Sequence, residues 1–132
     1  MNAVQHIAIT CRDLKAQEQF YTKHFGFRRC RVFYAGTPGE FLMLRLGSTC
    51  LELFQAHGDA KLLKAQPQPV GFQHLAFEVP DLDAAIAALH ADGIQTEKIF
   101  DASSILTGLK GCFFHDPDGN RLELMQGYQD QF

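Results

Sequence analysis

At 132 residues, with 46% hydrophobic and 20% charged residues, the chain has the length of one compact domain and more apolar content than a disordered segment carries. A net charge of −3 offers no broad positive field to nucleic acid, and no Lys/Arg stripe interleaves with aromatics. No apolar run approaches the roughly 20 residues of a membrane-spanning helix, and the N-terminus lacks the charged-then-apolar pattern of a secretion signal.

Residues 4–11 alternate and are rich in β-branched side chains, which predicts a strand. Its period of two puts His6, Ala8 and Thr10 on one face and Ile7, Ile9 and Cys11 on the other. Asp13 is a natural N-cap for a helix running to Phe25, and Gly26 is a natural stop. Leu14, Tyr21 and Phe25 supply its expected buried stripe, weakened by Gln17 and Glu18. A strand over Phe27–Ala35 follows, in which Arg28-Arg29-Cys30-Arg31 has the pattern of an exposed strand edge. Thr37-Pro38-Gly39 turns the chain into a strand over Glu40–Leu46, and the Gly47-Ser48 hairpin signal returns it over Thr49–Gln55. In that last strand Cys50, Glu52 and Phe54 share one face, and Leu51 and Leu53 take the other.

Residues 56–70, with Gly58, Pro67 and Pro69, form a linker with one helical turn near Ala60–Ala65. The pattern then restarts. His74, Ala76 and Glu78 share a strand face opposite Leu75, Phe77 and Val79. Pro80-Asp81 opens a second helix with Leu82, Ala85, Ile86 and Leu89 along one side, ended by Gly93. A strand near Thr96–Phe100, a soft Ala102-Ser103-Ser104 segment and a strand over Gly111–His115 follow. Asp116-Pro117-Asp118-Gly119-Asn120 is a turn, because Pro fixes φ and Gly accepts a positive one. Arg121-Leu122-Glu123-Leu124-Met125 then repeats the acid-centred pattern of Cys50-Leu51-Glu52-Leu53-Phe54.

The chain is thus one unit written twice. The same offset separates His6 from His74 and Asp13 from Asp81, while Glu52 and Glu123 lie slightly further apart. Each copy supplies a His on its first strand and a Glu on its last. If the apolar faces pack against the two helices, His6, Glu52, His74 and Glu123 point to the opposite, concave face. Two imidazoles and two carboxylates converging there make a coordination sphere for a divalent metal, with ligand distances of about 2.0–2.2 Å. Taken singly, each of the four also fits an ordinary surface residue on a half-exposed strand. Cys11, Cys30, Cys50 and Cys112 are scattered without a Cys-x-x-Cys pair, as expected of reduced thiols in a cytoplasmic protein.

The sequence resembles the vicinal oxygen chelate superfamily, which includes glyoxalase I, bleomycin-resistance proteins and extradiol dioxygenases. The likeness lies in His6-Ile7-Ala8-Ile9, in Phe20-Tyr21 followed by Phe25-Gly26-Phe27, in Phe72-Gln73-His74-Leu75-Ala76-Phe77, and in Asp116-Pro117-Asp118-Gly119-Asn120-Arg121-Leu122-Glu123-Leu124. It implies an α+β fold of two βαβββ modules forming a curved mixed sheet of eight strands, with helices on the convex side. One domain would span 1–132, with module 1 at about 4–55 and module 2 at about 71–126.

By the same resemblance, His6, Glu52, His74 and Glu123 are the metal ligands of a glyoxalase-I-like lyase or isomerase. Glu123 is then the leading catalytic base and Glu52 its counterpart. The implied cofactor is a divalent ion (Ni, Co, Zn, Mn or Fe, with Ni or Zn favoured), and the implied partners are a small-molecule substrate and a second copy in a homodimer. A site within one chain and a site shared by two subunits use the same modules. Glyoxalase I holds glutathione with an arginine and an asparagine where this chain has Thr10 and Ala56, so the resemblance stops short of a glutathione anchor. Epimerases and dioxygenases of the superfamily are alternative enzymes, and a bleomycin-resistance-type sequestering protein is the alternative without catalysis. Phe33, Phe41, Met43, Phe54 and Met125 are candidates for an apolar substrate pocket, for core or for a dimer interface. His24, His57, His90 and His115 have the positions of structural or surface residues.

Overall fold

A computed structural model of the chain describes residues 3–59 and 71–131; the helical turn expected near 60–65 lies outside them. The chain divides into two compact units, Met1–Leu63 and Lys64–Phe132. The first carries β1 (His6–Cys11), α1 (Leu14–Phe25), β2 (Arg28–Phe33), β3 (Phe41–Leu46) and β4 (Thr49–Gln55). The second repeats the order as β5 (Leu75–Glu78), α2 (Leu82–Ala91), β6 (Phe100–Asp101), β7 (Lys110–His115) and β8 (Arg121–Gln126). Two βαβββ modules with eight strands result, each module building a four-stranded mixed sheet. The orders are β1-β4-β3-β2 and β5-β8-β7-β6. In both, the first strand pairs parallel with the last and the remaining pairings are antiparallel. No helix among the described residues is long and apolar enough to cross a membrane.

The helices begin and end where local chemistry dictates. The carboxylates of Asp13 and Asp81 accept the backbone N–H of Ala16 and Ala84, each at 3.0 Å, satisfying donors that the first turn leaves without partners. Gly26 ends α1 at φ 73°, a left-handed conformation that costs glycine little. The buried side of α1 differs from the expected stripe: it consists of Gln17, Phe20 and Tyr21, with Leu14 and Phe25 only half-buried. Gln17 and Tyr21 lie one turn apart, so the face against the sheet centres on them, and Leu14 and Phe25 fall near the helix ends. On α2 the buried residues Leu82, Ile86 and Leu89 follow the expected spacing.

The second module departs from expectation at its edge. A continuous strand over 96–100 is replaced by a Thr96–Phe114 bridge and the two-residue β6. The segment between Thr96 and Phe100 has one more residue than its partner between Gly111 and Phe114, and the extra residue interrupts the ladder. Gly111 is needed there, since a Cβ would stand 2.6 Å from the Phe100 ring and 2.7 Å from the Leu124 carbonyl oxygen.

Each module has its own apolar layer. Tyr21, Leu42, Leu44, Leu51 and Leu53 are buried in the first, and Leu82, Leu89, Phe114, Leu122 and Leu124 in the second. Each such side chain contributes about 1.5–3 kcal/mol by leaving water. A further device recurs in both modules and fastens helix to sheet. Gln55, the last residue of β4, accepts the N–H of Leu14 at 3.0 Å and donates to the Arg12 carbonyl at 2.7 Å. Gln126, the last residue of β8, accepts the N–H of Leu82 at 2.7 Å. Both amide oxygens satisfy the first N–H of a helix at a part-buried position, where leaving it unmade costs about 1–3 kcal/mol. Gln126→Leu is therefore expected to lower unfolding stability by that amount in urea titration while preserving the far-UV spectrum. A loss below 0.5 kcal/mol, on the order of an ordinary surface change, would refute this role.

Candidate functional site

Within each module a histidine and a glutamate come together. His6 opens β1, and its Nε2 lies 3.6 Å from Oε2 of Glu52 on β4. His74 directly precedes β5, and its Nε2 lies 2.9 Å from Oε2 of Glu123 on β8. The strand register explains both meetings. Ala8 stands opposite Glu52, and Ala76 opposite Glu123. Each histidine precedes its alanine by two residues and so shares its face, diagonal to the glutamate and within reach of two long side chains. The alanine methyl leaves the space between imidazole and carboxylate clear.

The second pair is tighter and drier: side-chain exposures are 26% and 10% for His74 and Glu123, against 44% and 17% for His6 and Glu52. Each imidazole also has an amide at its other nitrogen. His6 Nδ1 is 2.5 Å from Gln5 Oε1, and His74 Nδ1 is 2.6 Å from Gln73 Oε1. Among the described residues, no group of three or more His, Cys, Asp or Glu side chains is gathered closely enough to hold a metal. The assembled unit is a pair, present once in each module.

The faces carrying the pairs are half-exposed and aromatic. In module 1 Phe33, Phe41 and Phe54 stack across three strands with ring centroids 4.6 Å apart at each step. Phe54 and Glu52 share a face of β4, so the stack adjoins the pair. In module 2 the Phe113 ring meets His74 edge-on at 5.2 Å, and the Arg121 guanidinium lies 3.8 Å over the same ring. Arg121 also reaches Glu97 at 3.5 Å. The turn before β8 is built by Asp116, whose carboxylate accepts the N–H of Asp118 and Asn120 and the Asn120 side-chain amide, at 2.7–2.9 Å. Sequence reasoning did not single out Gln5, Gln73 or Arg121 for the site. The signal for the glutamines was the recurring Gln-His dipeptide; for Arg121 it was its place two residues before Glu123 on the same face. His90 meets Thr96 at 2.8 Å.

A family model for the Glyoxalase/Bleomycin resistance protein/Dioxygenase superfamily matches residues 3–124. The chain belongs to this superfamily. Its members generally bind divalent metal ions. The chain is 38% identical over 128 residues to the uncharacterized protein YwkD of Bacillus subtilis, covering 96% of this chain and 98% of that one. It is 31% identical to a 2-epi-5-epi-valiolone epimerase of an Actinomyces species, covering 93% of this chain and 78% of the relative. The crystal structure of a glyoxalase family protein from Enterococcus faecalis superposes with a TM-score of 0.78 at 35% identity, covering 93% and 96% of the two chains.

The cysteines of this superfamily member are free thiols. Cys11, Cys50 and Cys112 are buried free thiols, and Cys30 is exposed on the edge strand β2. Burial pushes the Cys50 and Cys112 thiols above the ordinary cysteine value, and the Glu123 carboxylate adds to the effect at Cys112. Both are therefore thiols rather than thiolates at neutral pH and react slowly. A chromogenic disulfide reagent at pH 7.5 is expected to consume one fast equivalent in the native protein and none in Cys30→Ser. Two or more fast equivalents in the folded protein would contradict the assignment.

Proposed function

We propose that the protein is a divalent-metal-dependent lyase or isomerase of glyoxalase I type, moving a proton between adjacent carbons of a small oxygenated substrate. The observation that carries this reading is the His–Glu pair repeated at equivalent positions of both modules, with Nε2 aimed at the carboxylate each time. In this reading His6, Glu52, His74 and Glu123 serve one metal ion. The donors suit such an ion: imidazole nitrogen and carboxylate oxygen ligate Ni, Zn, Co, Mn or Fe, and Nε2 is the ring atom turned toward the glutamate. When bound, the ion acts as a Lewis acid that polarises a chelated carbonyl and acidifies the neighbouring C–H bond.

The chain's own groups move the proton. Glu123, the more buried carboxylate, takes it from one carbon and returns it to the next, as a general base and then acid. Glu52, more open to solvent, is its counterpart in the first module. Thr10 and Ala56 offer no cation for the carboxylates of glutathione, which favours a small substrate over a glutathione adduct. The 31% identical epimerase supports the same chemical step, since epimerisation also removes and restores a proton at one carbon.

Metal analysis, substrate turnover and solvent deuterium incorporation test the reading together. The purified protein should bind about one equivalent of Ni or Zn per two His–Glu pairs, and His74→Ala should lose it. Glu123→Gln should lower turnover about 10²–10⁴-fold, the usual share of a general base. A His74→Ala variant with the parent's full metal load would sink the ligand assignment. Metal without deuterium incorporation into hemithioacetals or α-hydroxy ketones would instead favour a sequestering protein.

A further inference from the structure

We propose that Gln5 and Gln73 are positioning residues, each selecting the imidazole tautomer that keeps Nε2 bare for a cation. The inference rests on the metal-centre reading above, but its first observation is independent of it. An amide oxygen can only accept, so the contacts of Gln5 Oε1 with His6 Nδ1 and of Gln73 Oε1 with His74 Nδ1, at 2.5 and 2.6 Å, require hydrogen on Nδ1. A neutral imidazole has one N–H, and Nδ1 then carries it. Nε2 presents a lone pair.

That lone pair faces a carboxylate oxygen, 2.9 Å away in the second module. With the hydrogen of a neutral ring held on Nδ1, two electron-rich atoms at that separation repel unless a second ring proton or a bound cation lies between them. In the neutral ring the amide thus leaves the His–Glu contact without a proton of its own, a place that a cation can fill. In the first module the amide is oriented from both ends: Gln5 Nε2 donates to Cys50 Sγ at 3.8 Å, which leaves Oε1 toward the ring. Cys50 is wholly buried on β4, so this end is fixed by the sheet. A reversed amide would donate to Nδ1, place the ring hydrogen on Nε2 and close the pair as an ordinary hydrogen bond. The same arrangement occurs in both modules although each glutamine merely precedes its histidine in sequence, an order that by itself favours opposite faces.

The test uses full-length protein with ¹⁵N-labelled histidine, without added metal, for the parent, Gln5→Leu, Gln73→Leu and Gln73→Glu. Gln5 and Gln73 are exposed, so thermal melts should remain those of the parent and separate positioning from folding. Long-range ¹H–¹⁵N spectra should assign the Nδ1–H form to His6 and His74 in the parent. They should show loss of that preference at the neighbouring ring in each Leu variant, and its retention in Gln73→Glu, which keeps an acceptor. Competition with a chelator should show Zn²⁺ affinity falling about 10–100-fold in Gln73→Leu, the usual cost of removing a hydrogen-bond partner behind a ligand, and being restored in Gln73→Glu. Unchanged tautomers in both Leu variants would overturn the proposal, as would the Nε2–H form in the parent or parent rings that still carry both hydrogens at pH 8. If the parent binds no Zn²⁺ while the tautomers still respond to the glutamines, the metal centre falls and the positioning role stands.

Discussion

Parallel pairing of the first and last strands is the constraint on which each module depends. Parallel neighbours cannot be joined by a tight turn, so the chain must leave and return through a crossover. Here the crossover is a helix followed by two further strands. The same pairing puts Ala8 beside Glu52 and Ala76 beside Glu123, which leaves the preceding histidine diagonal to the acid. A slip of one residue would send either histidine to the helix side of its sheet, among Leu51 and Leu53 or Leu122 and Leu124. The leucines that exclude water on one face therefore fix the pair on the other.

Much of this order is visible in the sequence, because it rests on short-range rules. Asp13 and Gly26 bracket α1, Gly47-Ser48 closes the β3–β4 hairpin, and the alternation around Glu52 and Glu123 separates buried leucines from the acids. What escaped depends on contacts between distant segments. Gln17 is polar, and only its place beneath the sheet makes it a core residue. The brevity of β6 arises from a mismatch in residue count with β7. Gln55 and Gln126 look like strand ends until the start of each helix is brought against them.

The same division applies to the candidate site. The identities His6, Glu52, His74 and Glu123 stand out because a duplicated chain prints its His and its Glu once in each half. The closeness of each pair, and its unequal tightness in the two modules, belongs to the register and to side-chain burial. The amides behind the histidines are two letters in the sequence and a chemical constraint in the structure. The Phe33–Phe41–Phe54 stack lines the face of the first pair, and the Arg121–Phe113 contact lines that of the second.

The glutamine at the end of each last strand has one more implication. It ties the start of a helix to the rim of its own sheet, so each copy supplies atoms that close its own corner. A duplicated gene whose halves are each braced from within can let one half drift without dragging the other along. A His–Glu contact of 3.6 Å in the first module and of 2.9 Å in the second is the kind of inequality that such independence permits.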